Sequence, residues 1–114
     1  MSQCPFCQIA EHKLTADILF EDKEVVVFHD NNPQAPVHFL VIPRRHIPAL
    51  SDSGKADQSI LGKLLLSATR QAEQLDLNQS GYRVVINNGK AGGQEVPHLH
   101  VHVLGGRRMK WPPG

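Results

Sequence analysis

The heptapeptide His98-Leu99-His100-Val101-His102-Val103-Leu104 alternates histidine with aliphatic residues. Alternation predicts a β-strand, because successive side chains of a strand point to opposite faces. The three imidazoles would then stand in one row, with neighbours roughly 7 Å apart, and the aliphatic residues would face the core. Histidine exchanges protons near neutral pH and can also act as a nucleophile. Three histidines on one strand therefore indicate a functional site.

The chain as a whole has the composition of a small globular protein. Its 114 residues, 40% hydrophobic and 20% charged, predict a single domain over residues 4–114. A formal net charge of +1 gives no electrostatic reason to expect nucleic acid or an anionic membrane as a partner. No apolar run approaches the ~20 residues of a membrane span. Because Met1-Ser2-Gln3-Cys4 also lacks the pattern of a signal peptide, we expect a cytoplasmic protein.

Hydrophobic periodicity divides the chain into helices and strands. A short helical segment is predicted over residues 4–14 and one long helix over residues 57–77. The predicted strands are rich in β-branched or alternating residues and cover 18–21, 24–29, 37–42, 82–87 and 98–104. Strands joined by hairpins or by a single helix predict an α+β fold. We therefore expect an antiparallel sheet of about five strands with the long helix on one face.

The spacing of the histidine row separates a metal site from a catalytic one. A zinc ion needs ligands that converge on one point with bonds near 2 Å, and row neighbours roughly 7 Å apart do not readily meet this condition. One nucleophile flanked by helpers fits the spacing better. The glycine-rich residues 87–94, which precede the row, favour a phosphate ligand because glycine lets backbone N–H groups approach an anion.

Two further features have alternative interpretations. Cys4 and Cys7 are the only cysteines and form half of a tetrahedral zinc site, with His46 and His98 as long-range candidates for the other half. Their spacing favours zinc and inert thiols about equally and also allows a redox pair. Asp30 ends a predicted strand, where capping the following loop is favoured over binding the hydroxyls of a ribose.

These motifs together resemble the histidine-triad family and, within it, the purine nucleoside phosphoramidase branch of nucleotide-binding proteins. The resemblance extends nearly end to end. The matching segments are Phe20-Glu21-Asp22, Phe28-His29-Asp30, residues 33–43, Gly92-Gly93-Gln94, the triad with Gly105-Gly106-Arg107, and the tail Trp111-Pro112-Pro113-Gly114. The triad is specific to the family and the tail to the branch. The resemblance implies a homodimer in which two α+β protomers join their sheets into one continuous sheet.

The resemblance also implies a role for each site residue. His100 matches the nucleophile that attacks the α-phosphorus, and His102 matches the histidine beside the leaving group. His38 and His98 match supporting positions, and Asp30 matches the carboxylate that binds the ribose. The remaining matches form an apolar slot for the purine, a set of phosphate-side contacts, and a tail residue that reaches the partner's site. The apolar slot would be Phe6, Ile9, Phe28 and Leu40, the phosphate-side contacts Asn87, Gly93 and Glu95, and the tail residue Trp111.

Relatives with a Cys-x-x-Cys pair use it with two histidines, so the resemblance implies a structural zinc. The ligands would be Cys4, Cys7, His46 and His98. No cofactor is implied for catalysis. Three positions depart from the branch's pattern: Glu95 stands where animal relatives carry serine, Pro97 replaces a residue that is usually aromatic, and Asn31 occupies a position that is often apolar.

The implied reaction is hydrolysis of the P–N bond of a purine nucleoside 5′-phosphoramidate. His100 would form a nucleotidyl-histidine, and water would then release AMP or GMP. Two alternatives remain open: a dinucleoside polyphosphate hydrolase of the same family, and a nucleotide-sensing dimer that acts mainly through partner binding. The tail and Gly105-Gly106 argue against the first. Partner capture that survives loss of His100 would distinguish the second.

Overall fold

The structure, a computed structural model, describes residues 3–114. Within these residues it confirms the predicted α+β fold, with a five-stranded antiparallel sheet, one long helix and a short N-terminal helix. The elements are α1 (Pro5–Ala10), β1 (Ile18–Glu21), β2 (Val25–His29), β3 (Val37–Pro43), α2 (Gln58–Gln74), β4 (Tyr82–Val85) and β5 (Val101–Gly105). The strand order is β1-β2-β3-β5-β4. Met1 and Ser2, which belong to the segment inspected for a signal peptide, lie outside the described residues.

Both faces of the sheet are covered by apolar packing. On β2, Val25 and Val27 belong to the cluster that includes the buried side of α2, whereas Val26 and Phe28 belong to the cluster that includes α1. Successive side chains of a strand point to opposite faces, so these four consecutive residues are all buried. The short helix α1 therefore completes the core on the face opposite α2.

The long helix is shorter than predicted because its C-terminal turn is closed by a Schellman motif. Asp76 adopts a left-handed backbone with φ of 61°, and the Leu77 N–H donates to the Ala72 carbonyl at 2.9 Å. This turn brings Leu77 back into the core, where it is buried. Leu77 thus fits the apolar pattern of the helix without belonging to it. Neither α1 nor α2, the helices described for residues 3–114, is long and apolar enough to cross a membrane.

The triad segment is only partly a strand. β5 begins three residues later than predicted, so residues 98–100 lie in irregular backbone. The Leu99 N–H donates to the Ile47 carbonyl at 2.7 Å, in a loop beyond β3 rather than in a neighbouring strand. The prediction of one straight row with 7 Å spacing is therefore wrong. The rings of His100 and His102 have centroids only 4.9 Å apart, at an interplanar angle of 67°.

The register of β3 and β5 brings a fourth histidine to the site. His38 lies opposite Leu104, and His102 lies opposite Leu40. His38 and His102 are therefore diagonal neighbours across two adjacent strands, a relationship that lets long side chains touch. Their ring centroids are 5.2 Å apart.

Candidate active site and metal centre

The orientation of His100 is set by the backbone just before it. Its Nδ1 lies 2.6 Å from the carbonyl oxygen of His98, which can only accept, so Nδ1 carries the hydrogen. In a neutral imidazole the lone pair is then on Nε2. Within residues 3–114, Nε2 has no hydrogen bond, and no buried side-chain nitrogen there lacks a partner. The Nε2 atom of this otherwise buried ring therefore reaches solvent.

His38 and His102 form a directed chain of hydrogen bonds. The backbone N–H of Gln34 donates to His38 Nδ1 at 3.0 Å, so the hydrogen of neutral His38 is on Nε2. That Nε2 lies 2.9 Å from His102 Nδ1 and 3.4 Å from Asp30 Oδ2. His102 Nδ1 is then an acceptor, and the hydrogen of His102 is on Nε2. His102 therefore presents an N–H donor where His100 presents a lone pair.

The proton assignments require neutral rings, and burial provides them. Burial lowers the pKa of His102 to about 4, with His100 and His38 acting in the same direction and Asp30 opposing them. Burial also lowers the pKa of His38, again against the effect of Asp30. Both imidazoles are therefore uncharged at neutral pH, and each has one donor and one acceptor nitrogen.

The four residues proposed as metal ligands converge on one point. Their ligand atoms all lie within 4.8 Å of one another. His98 Nδ1 is 3.3 Å from Cys4 Sγ, 3.5 Å from Cys7 Sγ and 3.2 Å from His46 Nδ1. A tetrahedral zinc with ordinary Zn–S and Zn–N bonds separates its ligand atoms by about 3.3–3.7 Å. His98 Nε2 donates to the Pro43 carbonyl at 2.8 Å, which leaves the Nδ1 lone pair directed at the cluster. The donor set and spacing thus fit zinc.

A second group of potential ligands, Asp30, His38 and His102, is equally compact, with ligand atoms within 4.8 Å. Its hydrogen bonds argue against a metal. A metal would need the lone pair of His38 Nε2 and would move the hydrogen to Nδ1, but Nδ1 already accepts the Gln34 N–H. This group is therefore better suited to proton transfer than to metal binding.

The predicted purine slot corresponds to one apolar cluster on the α1 face of the sheet. Phe6, Ile9, Phe28 and Leu40 all belong to it. The Phe6 ring contacts the His100 ring edge-on at a centroid distance of 5.1 Å. Phe6 also contacts the Phe28 ring, at a centroid distance of 5.5 Å. A base stacked on this cluster would therefore lie close to His100.

Asp30 and the predicted phosphate contacts occupy loops beside the triad. Asp30 Oδ1 accepts the Asn32 N–H at 2.8 Å, so the capping role that its spacing favours is present. Asn87 is half-buried, whereas Gly93 and Glu95 are exposed. The Gly93 N–H already donates to the Lys90 carbonyl at 3.0 Å, within the loop itself. A phosphate at this loop would need other donors.

Sequence reasoning missed two residues that organise these loops. Gln94 accepts the Gly89 N–H through Oε1 and donates through Nε2 to the Pro48 and Val96 carbonyls, at 2.7–3.1 Å. The sequence signal that could have identified Gln94 was its place in the matching segment Gly92-Gly93-Gln94. Gln34 acts on His38 through its backbone N–H, which no side-chain pattern can reveal.

The tail residue Trp111 lies beside a residue of the edge strand β4. It is 82% exposed and has the Arg83 guanidinium 6.0 Å from its ring centroid. Arg83 is on β4, an edge strand.

Comparison with known proteins agrees with the fold and the triad. Residues 11–109 match the HIT domain family. An uncharacterised HIT-like protein of Synechococcus elongatus is 50% identical over 109 residues, 96% of this chain and 95% of the relative. A crystal structure of a HIT family hydrolase from Legionella pneumophila is 46% identical with a TM-score of 0.97, covering 98% of this chain and all of that one. A histidine triad protein from Clostridium difficile is 36% identical with a TM-score of 0.93, covering 96% of each chain. This chain therefore belongs to the HIT domain family.

Proposed function

We propose that this chain is a hydrolase that cleaves the P–N bond of purine nucleoside 5′-phosphoramidates and releases AMP or GMP with an amine. The observation that carries the proposal is the pairing of His100 and His102. One ring offers a lone pair on Nε2, and its neighbour offers a hydrogen on Nε2. The name of the Legionella pneumophila relative, a HIT family hydrolase, supports the reaction class.

The first step uses both nitrogens. The Nε2 lone pair of His100 attacks the α-phosphorus, and the P–N bond breaks as the electron pair leaves with the amine. The amine takes its proton from His102 Nε2. The hydrogen on His38 Nε2, 2.9 Å from His102 Nδ1, can follow toward His102. The negative charge that this leaves on the two rings is offset by the positive charge on His100, which keeps its Nδ1 hydrogen while Nε2 is bonded to phosphorus.

The second step reverses these roles. Water gives a proton to His102 Nε2 and attacks the phosphorus, and the P–Nε2 bond to His100 breaks. The product is the nucleoside monophosphate, and both rings return to their starting tautomers. Two displacements at one phosphorus replace a single difficult one, which is the usual benefit of a covalent intermediate.

Nucleotide recognition is assigned to the surfaces around the two histidines. Phe6, Ile9, Phe28 and Leu40 would contact the purine, and their membership of one cluster beside His100 supports this. Asp30 would accept ribose hydroxyls through lone pairs that remain after it caps its loop. Asn87, Gly93, Glu95 and the partner's tail carrying Trp111 would complete the phosphate and leaving-group side.

The Cys4, Cys7, His46 and His98 cluster would hold a structural zinc. Such a metal would fix the start of α1 to the first residue of the triad segment, since it joins ligands far apart in the chain. It would not contact the phosphorus. The catalytic step is therefore assigned to the histidines without a cofactor.

We also propose a homodimer that joins two copies through the outer edge of β4. Val84 on this strand and Leu65 on α2 are 41% and 49% exposed, respectively. The exposed backbone edge of a strand is a template for pairing with another strand. A dimer formed there would bring the partner's tail toward the same edge.

The direct test is the release of AMP from adenosine 5′-phosphoramidate by the wild type and by His100→Ala. The matched control is His12→Asn, because His12 is an exposed histidine with a left-handed backbone that asparagine tolerates. We expect turnover in the wild type and the control and loss of at least about 10³-fold in His100→Ala, with AMP binding retained. Turnover by His100→Ala at the wild-type rate would refute the assignment. Preference for diadenosine tetraphosphate would favour the polyphosphate hydrolase, and AMP binding without turnover would favour the sensor.

A further inference from the structure

One arginine that is remote in sequence is hydrogen-bonded to the loop between β2 and β3. Arg107, two residues beyond β5, directs its guanidinium at the carbonyl oxygen of Gln34, with Nε at 3.2 Å and Nη2 at 3.0 Å. The loop segment 31–36 is mostly exposed, and its other hydrogen bonds involve only Asp30, His38 and the segment itself. Within residues 3–114, Arg107 therefore supplies the side-chain hydrogen bonds that reach this segment from outside the loop and its flanking residues.

The backbone between β5 and Arg107 is built to bring the two segments together. Gly106 has a φ of 88°, and a Cβ placed on it would lie 2.9 Å from the Pro36 Cβ. Only glycine combines this dihedral with so close an approach. The turn at Gly106 thus packs against Pro36 in the loop, and the Arg107 guanidinium donates directly to the Gln34 carbonyl.

Gln34 is the residue at which this contact reaches the catalytic histidines, through the two peptide groups that flank its Cα. Its carbonyl accepts from Arg107, and its N–H donates to His38 Nδ1 at 3.0 Å. The N–H excludes hydrogen from His38 Nδ1 and places it on Nε2, from which it is directed at His102 Nδ1 at 2.9 Å. The tautomer of His102 therefore depends on where the Gln34 N–H points.

We propose that Arg107 is a positioning residue that fixes the tautomers of His38 and His102 by holding the backbone of Gln34 in place. Its effect on hydrolysis rests on the proposed function, whereas its effect on the tautomers does not. Without the guanidinium, the loop loses the one side-chain anchor that residues 3–114 supply from outside it, and the Gln34 N–H is no longer held on Nδ1. His38 is then free to carry its hydrogen on either nitrogen, and the Nε2–H of His102 is no longer assured.

The decisive variant is Arg107→Gln, with Arg107→Lys as the conservative change and Arg108→Gln as the matched control. Arg108 is the adjacent exposed arginine, and its recorded contact with Arg107 is through its backbone carbonyl. Long-range ¹H–¹⁵N spectra of histidine-labelled protein at pH 7.5 distinguish Nδ1–H from Nε2–H rings. We expect His38 and His102 as Nε2–H tautomers in the wild type and in Arg108→Gln. We expect averaged patterns for both rings in Arg107→Gln, partly restored in Arg107→Lys, which keeps one cationic donor group.

Kinetics on adenosine 5′-phosphoramidate give the second measurement. We expect kcat to fall about tenfold in Arg107→Gln and about threefold in Arg107→Lys, with KM changed less than about twofold, because the loss is in orientation rather than in substrate contact. Unchanged tautomers in Arg107→Gln overturn the proposal, as does an altered tautomer with a wild-type kcat. If the wild type lacks turnover, the proposed function fails, and the tautomer spectra alone still decide the role of Arg107.

Discussion

Gly106 contacts Pro36 so closely that it has no room for a side chain. A Cβ on Gly106 would lie 2.9 Å from the Pro36 Cβ and 3.3 Å from its Cγ. The proline ring begins the approach to β3, and Gly106 directly follows β5. This contact therefore packs the turn after β5 against the loop between β2 and β3.

We expect Gly106→Ala to destabilise the protein by about 2–3 kcal/mol, because it combines an unfavourable positive φ with a clash against a rigid ring. Gly81→Ala is the matched control, since Gly81 has a similar φ of 93° and open space around its Cβ position. The control should lose only about 1 kcal/mol. Urea unfolding of the three proteins measures the difference. Equal losses in both variants would show that the Pro36 contact contributes nothing.

Removal of the proposed zinc should lower thermal stability. We expect about one zinc per chain by mass spectrometry of the purified protein, and a lower Tm after chelation. Cys7→Ser should lose most of the metal, because a hydroxyl is a poor substitute for a thiolate ligand. His29→Asn, which changes a histidine outside the cluster, should keep it. A wild type purified without zinc and unable to take it up would exclude the site.

Acid should weaken an ion-pair network between the β1–β2 turn and α2. Lys63 Nζ lies 2.8 Å from Asp22 Oδ2 and 2.9 Å from Glu24 Oε1. Burial of Asp22 disfavours its charge, but Lys63 and two backbone N–H groups outweigh this and lower its pKa from 3.8 to about 2. The unfolded chain therefore binds this proton first as the pH falls, so the stabilisation is complete above about pH 5 and is lost between about pH 4 and 2.

We accordingly expect Lys63→Met to have a lower free energy of unfolding than the wild type at pH 7, with the difference shrinking below pH 4. Lys55→Met, at an exposed lysine for which the described residues form no ion pair, is the control and should match the wild type. Urea unfolding across the pH range is the measurement. A deficit of constant size at every pH would mean that lost packing, not charge, explains the effect.

The proposed dimer predicts that a charge on the outer edge of the sheet will separate the protomers. Val84→Arg places a cation on the β4 edge, where a second copy would approach, and should give a monomer by analytical ultracentrifugation. Leu14→Arg changes a residue of similar exposure, 43% against 41%, in the loop before β1 at the opposite edge. It should remain dimeric. A monomeric wild type would contradict the dimer itself.

Periodic residues predicted most of the fold. The β-branched runs of β2 and β3 and the helical spacing of α2 identify their elements, because burial of one or both faces dictates the residue types. The start of β5 was missed because the alternation in residues 98–100 does not reflect strand faces. His98 lies in the cysteine–histidine cluster, whereas His100 lies beside His102. The early end of α2 was missed because Asp76, not glycine, adopts the left-handed position that ends it.

The candidate site was predictable where side chains perform the chemistry and unpredictable where the backbone does. The identities of His100, His102 and the candidate ligand His46 are visible in the sequence, and the resemblance adds His38. Their proton positions are not visible, since these depend on the His98 carbonyl and the Gln34 N–H. The contact between Arg107 and Gln34 joins two loops that are remote in sequence, and no local pattern predicts it.

His98 belongs to two centres through different parts of the same residue. Its imidazole Nδ1 lies among Cys4, Cys7 and His46, whereas its main-chain carbonyl accepts the hydrogen of His100. Replacing the side chain therefore removes a ligand and leaves the acceptor in the chain. A His98→Ala variant would measure how far the rigidity of the cysteine–histidine cluster is transmitted to the proposed nucleophile, since the carbonyl that accepts from His100 remains in the chain.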